Sequence, residues 1–193
     1  MSIYLAMCLY AISMSLSPGP VNLLALSAGV NQGLSKSVPF VAGASLGFIL
    51  LFFLVGLGLG QLMTLIPELM QALKIAGIGF MMYVSYLLFN ASGKLAKLSN
   101  YNATFWQGAI MQWLNPKAWM ASMAAVSAFE LNVFEHLLVF CLIYLLVCFL
   151  CILCWAGAGN FLQHWFTHGN RLNAFNKTMA LILAMVALVI LVM

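Results

Sequence analysis

Apolar residues occupy most of the chain in long stretches without a charged side chain. Long uncharged stretches include 38–67, 75–93, 137–163 and 178–193. A helix of about 20 apolar residues crosses the hydrocarbon core of a bilayer. The pattern therefore predicts six membrane-spanning helices, with the ranges 3–30, 38–62, 70–91, 104–129, 137–162 and 174–193.

Prolines interrupt two of these predicted spans. The segment Ser17–Pro20 (SPGP) lies within span 1 and the segment Asn115–Lys117 (NPK) within span 4, so that Pro18 and Pro116 are 98 positions apart in a chain of 193 residues. Proline removes a backbone donor and frees the carbonyl one turn earlier. Because lipid offers no hydrogen bonds, a break at membrane depth must face protein or a polar cavity.

Matching breaks in two halves of a membrane protein are typical of transporters built from internal repeats. With three spans in each half, the second half enters the membrane in the opposite orientation. The predicted fold is an all-α polytopic membrane protein with a 3+3 inverted repeat, in which residues 1–98 and 99–193 form one transmembrane domain. The alternative is that the two prolines only kink two membrane helices.

Composition and charge support the membrane assignment. The chain is 65% hydrophobic and 5% charged, whereas soluble domains are about 25% charged. The loops after spans 1, 3 and 5 carry Lys36, Lys94, Lys97, Arg171 and Lys177, and those after spans 2 and 4 carry Glu68, Lys74, Glu130 and Glu135. The positive-inside rule places the first set of loops in the cytoplasm and both termini in the periplasm. The net charge of +4 is thus explained without nucleic-acid binding.

Lys117 is the only charged residue in the middle of a predicted span. Such a residue costs about 2.5 to 3.5 kcal/mol at a helix centre and is a functional candidate for that reason. The alternative is that it lies near an interface and extends its ammonium group to water. Beside it, Asn115 can donate and accept hydrogen bonds, and the helix that restarts after Pro116 should present free N–H groups that attract anions.

The break in span 1 offers mostly acceptors, from Ser17, Asn22 and the carbonyls freed by Pro18 and Pro20. Acceptors at one break and a cation with donors at the other suit a zwitterion such as an amino acid, although many small polar solutes would also fit. Ser45 could line the pathway, because Gly43 and Gly47 leave room around it. The predicted substrate-binding residues are Ser17, Pro18, Gly19, Pro20, Asn22, Ser45, Asn115, Pro116 and Lys117.

Other motifs support weaker hypotheses. Gly43–Gly47 matches the G-x-S-x-G pattern of hydrolases, but that motif needs a strand-turn-helix, so we expect neither an enzyme nor a cofactor. Cys148, Cys151 and Cys154 share a helix face and could pass a heavy metal as thiolates, although such cysteines usually act as small hydrophobic residues. A metal exporter and a membrane assembly partner without transport therefore remain alternatives. GxxxG pairs such as Gly43/Gly47 fit packing within one protomer, and a homodimer stays open.

The motifs resemble the signature of the LysE/RhtB family of amino-acid exporters, at the expected spacing and over essentially the whole chain. The segments that carry the resemblance are 17–20, 22–24, 42–47 and 115–117. Within that family the chain is most similar to the cysteine/O-acetylserine exporters, in the segments 24–27, 105–106 and 154–159.

The resemblance implies efflux of a small neutral amino acid or derivative, cysteine/O-acetylserine-like or homoserine/threonine-like, across the bacterial inner membrane. It also implies an ion gradient as the driving force, with the proton as the expected coupling ion. Some family members place a carboxylate or histidine within the second or fifth helix. Here the residues in that neighbourhood are Leu50, Leu51, Cys148 and Phe149. Facilitated efflux down a concentration gradient therefore remains an alternative to proton coupling.

Overall fold

The computed structural model describes residues 3–90, 103–131, 133–166 and 171–192, and within these ranges all regular structure is helical. The α-helices are α1 (Ile3–Leu16), α2 (Pro20–Gln32), α3 (Leu34–Leu54), α4 (Gly60–Leu65), α5 (Pro67–Phe89), α6 (Phe105–Trp113), α7 (Pro116–Ala128), α8 (Phe134–Gln163) and α9 (Arg171–Val192). A π-helical segment, Val55–Leu59, joins α3 to α4, and a 3₁₀ turn, His164–Phe166, extends α8. Lys94 and Lys97, which the charge pattern assigns to a loop, lie outside the described residues.

The predicted all-α polytopic membrane class is confirmed. Four helices of the described residues are long and apolar enough to cross a membrane, namely Leu34–Leu59, Gln71–Phe89, Phe134–Phe166 and Arg171–Val192. The bent pair α1 and α2 forms a fifth candidate, with an angle of 63° at the break. The predicted span 104–129 consists of two shorter helices, α6 and α7, with the break at Leu114 and Asn115. The six-span inverted repeat therefore stays a prediction.

Glycines allow two pairs of helices to pack almost backbone to backbone. A Cβ atom on Gly29 of α2 would overlap the carbonyl oxygen of Ala156 in α8, and one on Gly159 would overlap that of Leu26. Gly43 of α3 likewise faces the carbonyl of Phe105 in α6. Small residues permit this close approach inside a membrane, so these glycines act within the protomer.

Helix α8 lies at the centre of the fold, where it packs against α1, α2 and α3, while α5 packs mainly against α9. The turn between α2 and α3 depends on Gly33, whose φ of +81° favours glycine. At the start of α9, the Lys177 ammonium lies 5.3 Å from the centroid of the Phe89 ring on α5. The first helix break therefore lies against α8, while the helices of the second break, α6 and α7, pack against α3.

Candidate substrate-binding site

The two helix breaks meet at one small interior cavity of about 40 Å³. The cavity is lined by Met14, Ser15, Gly19, Val21, Asn22, Phe48, Gln112, Asn115, Lys117, Ala118, Ala121, Tyr144, Cys148 and Ile152. This volume holds water molecules but not a whole amino acid. Sequence positions almost a hundred residues apart thus contribute to a single site.

The first break satisfies its freed carbonyl groups with side chains. The Ser17 hydroxyl donates to the Met14 carbonyl at 3.0 Å, and the Trp155 indole N–H donates to the Leu16 carbonyl at 3.3 Å. The amide nitrogen of Asn22 donates to the carbonyls of Ser15 and Ser17, at 2.8 and 2.9 Å. Since buried backbone groups must find partners, these three side chains are what makes the interruption stable.

The two bonds of Asn22 fix the orientation of its amide group. Both go from Nδ2 to the break, so the carbonyl oxygen Oδ1 is the part of the side chain left for a ligand, and Asn22 lines the cavity while buried. At the start of α2, Gly19 has an extended conformation with φ of −164°, and no side chain caps the helix. The first break therefore presents an acceptor from Asn22 beside an uncapped helix N-terminus.

The second break is built the opposite way. Asn115 caps α7, because its Oδ1 accepts from the Lys117 N–H at 3.2 Å, and its backbone carbonyl accepts from the Ala118 N–H at 2.9 Å. The expectation of free N–H groups after Pro116 was therefore wrong. Of the two helix starts at the breaks, that of α7 has a side-chain cap and that of α2 has none. With Oδ1 engaged, Asn115 is left with its Nδ2 donor for the cavity that it lines.

Lys117 bridges the two breaks. Its ammonium donates to the Ser17 carbonyl oxygen at 2.8 Å and to the Ser17 hydroxyl at 2.7 Å. Its aliphatic chain crosses Gly19, where an added Cβ would lie 3.4 Å from Lys117 Cδ and Nζ. Both partners are neutral, and among the described residues no carboxylate pairs with this half-buried cation. A cation away from water without a counter-ion is a strong site for an anion.

The other predicted residues surround the cavity without lining it. Pro20 and Pro116 occupy the first positions of α2 and α7, where proline fits a helix start, and Pro18 lies between α1 and α2. Ser17 reaches the site through Lys117. Ser45 is fully buried, donates to the Val41 carbonyl at 2.9 Å and lies within hydrogen-bonding reach of the Cys148 thiol.

Several lining residues were not predicted for the substrate site. Gln112 of α6 is 6% exposed and lines the cavity, and within the described part of the chain its side-chain amide makes no hydrogen bond. Tyr144 and Cys148 contribute from α8, one turn apart. For Gln112, the signal in the sequence was a glutamine three positions before Asn115 in an apolar segment.

The two ends of the helix bundle differ. A cavity of about 430 Å³ lies at the π-helical segment, lined by Gly56, Gly58, Gln61, Ser127 and Glu130 among others. An aromatic cluster of Tyr10, Phe52, Phe140 and Tyr144 has ring centroids 5.3 to 6.4 Å apart. The Tyr10 hydroxyl also donates to the Ala121 carbonyl at 2.8 Å. Since Tyr144 and Ala121 line the small cavity, this cluster closes it on that side.

At the opposite end of the bundle, hydrogen bonds join segments that are far apart in the chain. The Leu34 N–H donates to Asn160 Oδ1 at 3.1 Å, and the Ala103 N–H donates to Gln32 Oε1 at 3.1 Å. With the glycine contacts between α2 and α8, these bonds hold the Gly33 turn against α8 and the start of α6.

Cys148, Cys151 and Cys154 of α8 do not face the same place. Cys148 lines the cavity and Cys151 is buried, whereas Cys154 is exposed. The described residues contain no group of three or more His, Cys, Asp or Glu side chains that could hold a metal ion. This arrangement offers no specific support for the metal-exporter alternative.

Broken helices that enclose a polar cavity within a bundle of apolar helices define a membrane transporter. The LysE type translocator model matches residues 12–193, and the chain belongs to that family. The resemblance seen in the motifs is thereby confirmed.

Curated relatives agree with this family. The chain is 28% identical over 168 residues, 85% of its length, to proteins of Salmonella paratyphi A (strain ATCC 9150 / SARB42), Salmonella typhi and Escherichia coli O1:K1 / APEC. Each of these is called a cysteine/O-acetylserine efflux protein, and the match covers 86% of its length. No solved structure matches the chain.

Proposed function

We propose that the chain exports small neutral amino acids or their derivatives, of the cysteine/O-acetylserine or homoserine/threonine type, across the bacterial inner membrane. The observation that carries the proposal is the polarity of the cavity. Asn115 leaves a donor free and Lys117 lacks a counter-ion, while Asn22 leaves an acceptor free. A carboxylate matches the first pair and an ammonium group matches the acceptor.

The size of the cavity supports a small cargo. Its apolar wall consists of Met14, Phe48, Ile152 and the ring of Tyr144, and its volume is about 40 Å³. A short side chain needs little rearrangement of these residues, whereas a long or charged one would have to displace them. The names of the relatives, which are cysteine/O-acetylserine efflux proteins, agree with this class.

Alternating access around this cavity is the proposed mechanism. The larger cavity beside Gly58 and the hydrogen-bonded end beside Gly33 correspond to one open and one closed entrance. With the loop containing Lys36 in the cytoplasm, as the charge distribution predicts, this conformation faces the periplasm. Rocking of one half of the bundle against the other would then expose the site to the cytoplasm.

Efflux is either secondary active, driven by an ion gradient, or facilitated, down the concentration gradient of the cargo. No Asp or Glu lines the cavity among the described residues, which leaves Lys117 and the cargo itself as carriers for a coupling proton. We propose that the partners of the chain are the cargo, the lipid bilayer and, where efflux is secondary active, a coupling proton; a homodimer is compatible with this proposal.

The test is untargeted mass spectrometry of the medium from cells that overexpress the chain. Accumulation of one or a few small amino acids is expected, with loss of that accumulation in Asn115→Ala at equal membrane abundance. Asn90→Ala serves as the matched control, because Asn90 is exposed and bonds only to Tyr86 of its own helix. If no amino acid differs between these cells, the proposed cargo class is wrong.

A further inference from the structure

The ammonium group of Lys117 lies where an external ammonium group would be expected to bind. It donates to both acceptors of Ser17, the carbonyl oxygen and the hydroxyl. Asn22 donates to the same carbonyl oxygen from its Nδ2, which fixes the position of that acceptor. Two oxygen atoms of one helix break thus bind a primary ammonium group that belongs to the other break.

We propose that Ser17 and Asn22 form a primary-ammonium subsite, which Lys117 occupies whenever the transporter is empty. This inference rests on the proposed function and adds an order of events to it. The cargo ammonium takes the Ser17 acceptors, and the displaced Lys117 ammonium binds the cargo carboxylate. No covalent bond or proton transfer is needed for this exchange.

The exchange is favourable only for a ligand with both groups. A carboxylate without an ammonium group would leave the Ser17 acceptors empty once Lys117 turns away. An amine without a carboxylate would displace Lys117 and leave it without any partner, and a buried unpaired charge is unfavourable. The contact therefore selects zwitterions and keeps the empty breaks tied together across 100 positions of sequence.

The first experiment measures binding of ethanolamine, which is serine without its carboxylate, to the purified full chain. Lys117→Met keeps a side chain of similar shape and vacates the subsite. It should bind ethanolamine at least about tenfold more tightly than the unmodified chain, as expected for charge-assisted hydrogen bonds. Adding Ser17→Ala to Lys117→Met should reverse part of that gain. Lys177→Met, whose ammonium lies over Phe89, is the matched control.

The second experiment tests the exchange with Lys117 in place. Binding of L-serine is compared with that of 3-hydroxypropionate, which is serine without its ammonium group. Ser17→Ala should lower the preference for serine about tenfold. The reason is that, of the two charged groups of the bound serine, the Ser17 hydroxyl contacts only the ammonium group. Ser122→Ala should leave the preference unchanged, since Ser122, like Ser17, donates to a carbonyl of its own helix but lies outside the cavity.

Each failure has its own meaning. Equal binding of ethanolamine to Lys117→Met and to the unmodified chain would overturn the subsite, and so would a proportional loss of both ligands in Ser17→Ala. If Lys117→Met misfolds, the serine comparison decides alone. If export depends on Lys117 but Lys117→Met binds ethanolamine no more tightly than the unmodified chain, this inference alone is refuted. If Lys117→Met binds ethanolamine more tightly but the chain exports no amino acid, the proposed function alone is refuted.

Discussion

Asn31 and Asn176 hydrogen-bond to each other in both directions, with Nδ2 to Oδ1 distances of 2.9 and 3.1 Å. Asn31 is on α2 and Asn176 on α9, and the two are 6% and 0% exposed. Asn31 Nδ2 also donates to the Ser27 carbonyl at 2.8 Å. This pair is a polar connection between the broken first helix and the last helix, away from the cavity.

We expect Asn176→Leu to destabilise the protein by about 1 to 3 kcal/mol, because Asn31 would keep a buried amide with a missing partner. The double variant Asn31→Leu/Asn176→Leu should be more stable than the sum of the single changes predicts, since no orphaned amide remains. Thermal unfolding in detergent measures both. The prediction fails if the effects of the two changes simply add.

Gly159 and Gly157 provide a matched pair on α8. A Cβ on Gly159 would overlap the Leu26 carbonyl, whereas one on Gly157 meets nothing within 4 Å. Gly159→Ala should therefore destabilise by about 1 to 3 kcal/mol or more, as expected for overpacking against a rigid backbone. Gly157→Ala should be neutral or stabilising by up to about 1 kcal/mol, because alanine favours the helix. Equal melting temperatures of the two variants would contradict the close α2–α8 contact.

Features that depend on local backbone chemistry could be predicted from the sequence. The breaks were predicted correctly, because Pro18 and Pro116 cannot continue a membrane helix without partners for the freed carbonyls. The predicted spans 38–62 and 70–91 agree to within a few residues with the helical stretch Leu34–Leu59 and with α5. Such features depend on few neighbours.

Features that depend on side-chain orientation could not be predicted. Asn115 turns its oxygen to its own helix start, which removed the free N–H groups expected there. Gln112 enters the site only because α6 packs tightly on α3 and turns that position inwards. The contact between Lys117 and Ser17 likewise depends on how the two halves meet.

Gln112 should contribute to binding rather than to stability. Its buried amide has no hydrogen-bond partner among the described residues, so Gln112→Met removes a polar group without breaking an existing bond. We expect cargo affinity to fall about tenfold, the effect of one lost hydrogen bond of about 1.4 kcal/mol. The melting temperature of the empty protein should stay the same or rise. A lower melting temperature with unchanged affinity would assign Gln112 a structural role instead.

The hydrogen bond from Tyr10 to the Ala121 carbonyl joins α1 to α7 at the aromatic cluster. Tyr10→Phe removes this bond and keeps the ring contacts with Phe129 and Phe140. The barrier between the small cavity and the larger one should then open more often. In a chain whose other cysteines are replaced, Cys148 should react several-fold faster with a small thiol reagent. The reason is that Cys148 lines the cavity and is otherwise 3% exposed.

Tyr83→Phe, a change at an exposed tyrosine, should leave the rate unchanged. Equal rates in both variants would show that the Tyr10 hydroxyl does not hold this barrier closed.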